Sequence, residues 1–94
     1  MKPATMLSEL EAAATDLSVK VSYETLLSSV GSSIGIGGLC RVKGQLRVII
    51  DKRATPRERV ATVAQALSKL DTSRLTLSAP VREVIEYYSL RRAS

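Results

Sequence analysis

The sequence predicts a small α+β domain. It has an N-terminal helix, an antiparallel sheet of about three strands with a hairpin near residues 39–51, a capped central helix over 56–70 and a C-terminal helix over 79–90. Three observations carry that reading. Thr55-Pro56-Arg57-Glu58 places a hydroxyl at an N-cap, proline at the first helical position and glutamate at the third, which is a capping box. Behind it, Val60, Val63, Ala64, Leu67 and Leu70 recur at the three- and four-residue steps of one helix face. In front of it, two β-rich runs flank Lys43-Gly44, and Leu46-Arg47-Val48-Ile49-Ile50-Asp51 is the stronger of them.

Each element has its own local signal. Residues 4–17 read as helix, with Leu7, Leu10, Ala14 and Leu17 on one face and Glu9, Glu11 and Asp16 kept polar. Residues 18–23 alternate, sending Val19, Val21 and Tyr23 one way and Ser18, Lys20 and Ser22 the other, as a half-buried strand does. Residues 24–38 hold Gly31, Gly35, Gly37 and Gly38 among serines, yet Leu26, Leu27, Val30, Ile34 and Ile36 argue for a segment that packs. Gly35-Ile36-Gly37-Gly38 is not a phosphate loop, because no Lys-Ser or Lys-Thr follows and the next element is a strand.

The hairpin register has two solutions. A two-residue turn sets Arg41 on the face of Leu46 and Val48. A three-residue loop over 43–45 gathers Cys40, Val42, Leu46, Val48 and Ile50, and leaves Leu39 and Ile49 on the other face. The second separates apolar from basic side chains better and is the expectation, with Cys40 a small core residue. After the central helix, Leu75 and Leu77 alternate with Thr76 as a short extended segment. Ser78-Ala79-Pro80 opens the last helix, whose inner face is Val81, Val84, Ile85 and Tyr88, with fraying from Ser89 on. Its end, Arg91-Arg92-Ala93-Ser94, has the look of a basic kinase substrate motif.

Composition bounds the function. The 94 residues make a single domain over 1–94, with no Phe, no Trp and only Tyr23, Tyr87 and Tyr88 as aromatics. A core built from small aliphatic pieces favours burial of further area between copies, so a homodimer is expected. The lone Cys40 cannot form a disulfide within the chain. No signal peptide or membrane span is legible, and a cytoplasmic location is expected.

Net charge is +5 and is concentrated. Arg41, Lys43, Arg47, Lys52, Arg53, Arg57 and Arg59 crowd residues 41–59, opposed there by Asp51 and Glu58 alone. These seven are the candidate anion-binding residues, although a run of charge is also what a solvated face requires. Histidine is absent, which removes Ser-His and Cys-His nucleophile pairs. Glu58 belongs to the capping box and is not free for acid–base work.

The order helix, strand, glycine-bearing loop, hairpin, helix resembles the small repressor-cleaving zinc metallopeptidases of the ImmA/IrrE type. Val21-Ser22-Tyr23-Glu24 is similar to their strand exit. Gly38-Leu39-Cys40 with Arg47-Val48-Ile49-Ile50-Asp51 is similar to their hairpin. Pro56-Arg57-Glu58-Arg59 followed by Thr62-Val63-Ala64 is similar to the run entering their active-site helix. The likeness covers roughly residues 10–70. That chemistry needs H-E-x-x-H, two imidazoles one turn apart on zinc and a glutamate to activate water. The matching positions here are Gln65, Ala66 and Lys69, and none of them can do that work.

The resemblance therefore implies a zincin-like scaffold without its zinc: a pseudo-enzyme, with no catalytic residues, no metal ligands and no cofactor. The expected function is a non-catalytic protein-interaction or regulatory module. Leu26, Leu27, Val30, Ile34, Ile36 and Ile49 are its candidate contacts, for a second copy or for another protein. The alternative is a nucleic-acid-binding accessory protein using the basic 41–59 stretch. Against it, no recognised binding motif is present and no aromatics are interleaved with the basic residues for base stacking.

Overall fold

The computed structural model of the chain describes residues 1–24 and 38–93. Helix α1 (Pro3–Asp16) is followed by strands β1 (Lys20–Glu24), β2 (Leu39–Val42) and β3 (Gln45–Asp51), then helices α2 (Pro56–Leu67) and α3 (Ala79–Ala93). The small α+β class is as the sequence predicts.

Local chemistry sets most boundaries. Pro3 opens α1 at the position where a missing N–H costs nothing. The helix closes on Ser18, held at φ 61°. The Val19 N–H donates to the Ala14 carbonyl at 2.8 Å and the Ser18 N–H to the Thr15 carbonyl at 3.0 Å, the paired bonds of a Schellman cap. At α2 the capping box forms in full. The Glu58 N–H donates to Thr55 Oγ1 at 3.2 Å, and the Thr55 N–H to Glu58 Oε1 at 2.8 Å. α2 ends at Leu67, short of the expected Leu70, in a tight turn where the Leu70 N–H reaches the Leu67 carbonyl at 2.9 Å. α3 begins as expected but keeps its helical backbone through Ala93 rather than fraying from Ser89.

The sheet differs from expectation in direction and in register. Its order is β1-β3-β2, so β3 is central. β2 pairs with β3 antiparallel, but β1 pairs with β3 parallel, from Lys20 opposite Arg47 to Glu24 opposite Asp51. The sheet is therefore mixed. The hairpin has a two-residue turn: Val42 pairs with Gln45, and Lys43 and Gly44 both have positive φ, at 51° and 81°. That is the backbone whose twist matches the strands it joins.

The shorter turn moves every β2 side chain across the sheet relative to the expected register. Leu39 and Arg41 now share the face of Leu46, Val48 and Ile50, while Cys40 and Val42 share the other with Arg47 and Ile49. Leu39 is thus not on the face away from the core, and Cys40 is half-buried outside it.

The helices cover one face. Val63, Ala64 and Leu67 of α2 close over Val48 and Ile50, Leu10, Ala13 and Ala14 of α1 pack between α2 and β1, and Val81 and Ile85 of α3 complete the core against α2 and α1. Val21, Tyr23, Leu39 and Leu46 pack at the margin of that core. Leu75 and Leu77 also pack there, but in irregular backbone and not in a strand. Glu9 ties α1 to the start of α3, its carboxylate accepting the Ser78 N–H at 2.6 Å.

Candidate interaction surface

The central helix gives the resemblance its structural context. Ala66 is fully buried in the core, Gln65 is half-buried, and Lys69 lies beyond the end of α2. Positions 65 and 69 do not stand one turn apart on a continuous helix face. Among the described residues no group of three or more His, Cys, Asp or Glu side chains could hold a metal ion.

The basic residues do not converge. Arg41 and Lys43 sit at the hairpin turn, where Arg41 Nη1 donates to the Gly44 carbonyl at 3.3 Å. Lys52 and Arg53 follow the other end of β3, roughly 25 Å away at about 3.4 Å per strand residue, and Arg57 opens α2 beside Met1 and Pro3. Arg53 is spoken for. Its guanidinium reaches Asp51 at 3.2 Å and its backbone N–H donates to the same carboxylate at 2.9 Å. These bonds hold the Asp51 carboxyl below its ordinary range, and Asp51 in turn raises Arg53. Arg47 stands mid-strand on the face away from the helices, and its Nε is buried without an acceptor among the described residues.

Arg59 belongs to a structural cluster that sequence reasoning missed. Its guanidinium carbon lies 4.9 Å from the Tyr23 ring centroid, and the group donates to the Ala54 and Lys52 carbonyls at 3.1 and 2.9 Å. The Tyr23 hydroxyl donates to Glu11. One phenol thus joins α1, β1 and α2. Burial, the Glu11 hydrogen bond and the Glu11 charge push Tyr23 up to about 12, against the opposing pull of Arg59. No local pattern announces this trio, since its members lie on three elements far apart in the chain.

The face of the sheet away from the helices carries Lys20, Ser22 and Glu24 of β1, Cys40 and Val42 of β2, and Arg47 and Ile49 of β3. Ile49 is half-buried there, whereas Val42 is 43% exposed. Of the other expected contacts, Leu26, Leu27, Val30, Ile34 and Ile36 lie outside the described residues. On α3, Tyr87 and Leu90 are exposed on the side opposite Val81 and Ile85, Leu90 at 72%. An open depression of about 470 Å³ runs beside β1, lined by Glu11 and Thr15 of α1 and by Lys20, Val21 and Tyr23 among others. Among the described residues no helix is long and apolar enough to cross a membrane.

Comparison with protein-family models, curated proteins and solved structures finds no match.

Proposed function

We propose that the chain is a non-catalytic protein-interaction or regulatory module that works as a homodimer in the cytoplasm, on a metallopeptidase-like scaffold without a zinc site. The observation that carries this reading is the use made of α2. Where the resembled peptidases place a glutamate, Ala66 fills the core, and where they place the second imidazole, Lys69 has already left the helix. A helix that presents a metal must hold both ligands on one exposed face one turn apart. This one turns those positions to packing and helix termination.

Self-association is supported by surface apolar groups on a domain whose core lacks large aromatics: Val42 on β2, and Tyr87 and Leu90 on α3. Two measurements test the proposal. Elemental analysis after dialysis is expected to find no stoichiometric zinc, and one tightly held zinc per chain would overturn the non-catalytic reading. Sedimentation at micromolar concentration is expected to give the mass of two chains, and a species of one chain at every concentration would overturn the homodimer.

A further inference from the structure

β1 is an edge strand, with β3 on one side and no other strand among the described residues on the other. Its backbone groups can be assigned. The Glu24 carbonyl accepts the Lys52 N–H at 3.0 Å, so Glu24 bonds towards β3. By strand alternation Ser22 and Lys20 do the same, and Val21 and Tyr23 turn their N–H and C=O groups away from β3, to the side where no strand lies among the described residues. An edge of this kind is a template for another strand unless something opposes pairing.

The residues of β1 do not oppose a second copy of themselves. Lys20-Val21-Ser22-Tyr23-Glu24 is complementary in charge to its own reverse. We propose that two copies pair antiparallel through β1, with the two-fold axis at Ser22, joining the two sheets into one. This rests on the reading of the chain as a self-associating module and names the surface that does it. In this register Lys20 faces the partner's Glu24 and Val21 faces the partner's Tyr23. Val21 and the partner's Tyr23 exchange both backbone hydrogen bonds, because both direct those groups outward. A one-residue slip sets outward groups against inward ones. A slip that centres on Val21 or Tyr23 keeps the hydrogen bonds but loses both charge pairs.

The charges of β3 favour the same arrangement. Within one chain Lys20 stands beside Arg47 and Glu24 beside Asp51, like against like on one face. Among the described residues neither Lys20 nor Glu24 makes an ion pair, and Glu24 accepts only the Ser22 hydroxyl, at 3.4 Å. In the pair, the partner's Glu24 faces Lys20 at one end and the reverse holds at the other, while each Asp51 stays with its own Arg53. β2 offers no such match: an axis on Cys40 sets Leu39 against the partner's Arg41 with no charge pair, and an axis on Arg41 sets two like charges together.

Charge reversal tests the inference, with sedimentation as the readout. Lys20→Glu and Glu24→Lys each place like charges at both ends of the pair. Each is expected to raise the dimer dissociation constant by about tenfold or more at low salt. Mixing the two variants is expected to restore a dimer, since one supplies only Glu and the other only Lys at the facing positions. The double exchange Lys20→Glu/Glu24→Lys is expected to dimerise alone. Both side chains are exposed, and each single reversal removes a like-charge contact with β3, so the fold should hold with an unchanged or higher urea midpoint. A wild-type dimer that neither reversal weakens would overturn the β1 edge and leave the homodimer standing, as would single variants whose mixture stays monomeric. Dissociation by Ile49→Glu but not by Lys20→Glu would move the contact to the sheet face. A wild-type chain that is monomeric throughout would overturn both.

Discussion

Replacing Gly38 and Gly44 by alanine, one at a time, separates two costs that usually arrive together. Both glycines have left-handed backbone, at φ 71° and 81°. An alanine in that region costs about 1–2 kcal/mol, partly offset by about 0.4–1 kcal/mol from a less free unfolded chain. These terms are common to the two sites. The surroundings are not. A Cβ at Gly44 would meet nothing within 4 Å, whereas one at Gly38 would lie 2.5 Å from the Ile49 carbonyl oxygen and 3.2 Å from Thr62 Cγ2.

The oxygen is backbone of the central strand, so a rotamer change cannot relieve the contact. Ordinary C···O approaches stop at about 3.3 Å, so β3 and residue 38 must part by most of an ångström. Forcing atoms into a packed site typically costs about 1–3 kcal/mol. Gly44→Ala is therefore expected to lose about 0.5–1 kcal/mol and Gly38→Ala about 2–4 kcal/mol. In urea, with a slope near 1 kcal/mol per molar for a domain of this size, the Gly38 variant should unfold at about 1–3 M lower denaturant than the Gly44 variant. Equal midpoints would refute the close approach of Gly38 to β3.

Two further outcomes follow from the core and from Tyr23. Leu67→Ala is expected to destabilise by about 2–5 kcal/mol, since Leu67 is fully buried, while Gln65→Ala on the half-buried side should stay below about 1 kcal/mol. Equal urea midpoints would show that the wrong face of α2 had been placed in the core. The folded state binds the Tyr23 proton more tightly than the unfolded chain, so its contribution to stability is complete below pH 10 and is lost as pH rises through about 12. Tyr23→Phe should lack that loss, and the tyrosinate absorbance of wild type minus variant should titrate near 12. A difference curve centred on 10 would mean that the phenol is neither buried nor bonded to Glu11.

Ends of helices and faces of strands were legible in the sequence, because the physics that sets them acts over three or four residues. Thr55 and Glu58 satisfy each other's backbone N–H groups wherever α2 packs, and the alternation of Val19, Val21 and Tyr23 marks the inward face of β1 whatever its neighbour. Neither signal says which strand lies alongside or in which direction it runs. The order β1-β3-β2, with β1 parallel to β3, is a property of the assembled sheet, and no residue of β1 or β3 announces it.

The hairpin shows the same division. Sorting apolar from basic side chains argued for the longer loop, but strand twist favoured the two-residue turn at Lys43-Gly44, and Cys40 and Val42 went to the far face with Ile49. The basic run 41–59 is contiguous as text and scattered as a surface. A strand carries Lys43 and Lys52 to opposite ends, and a tyrosine from another element takes Arg59. Charge composition is fixed by the residues, but convergence of charge depends on the path of the backbone. Lys20 and Glu24 were visible as letters from the start. The complementarity proposed for them across an axis depends on tertiary structure, which puts β1 at the edge of the sheet formed by the described residues.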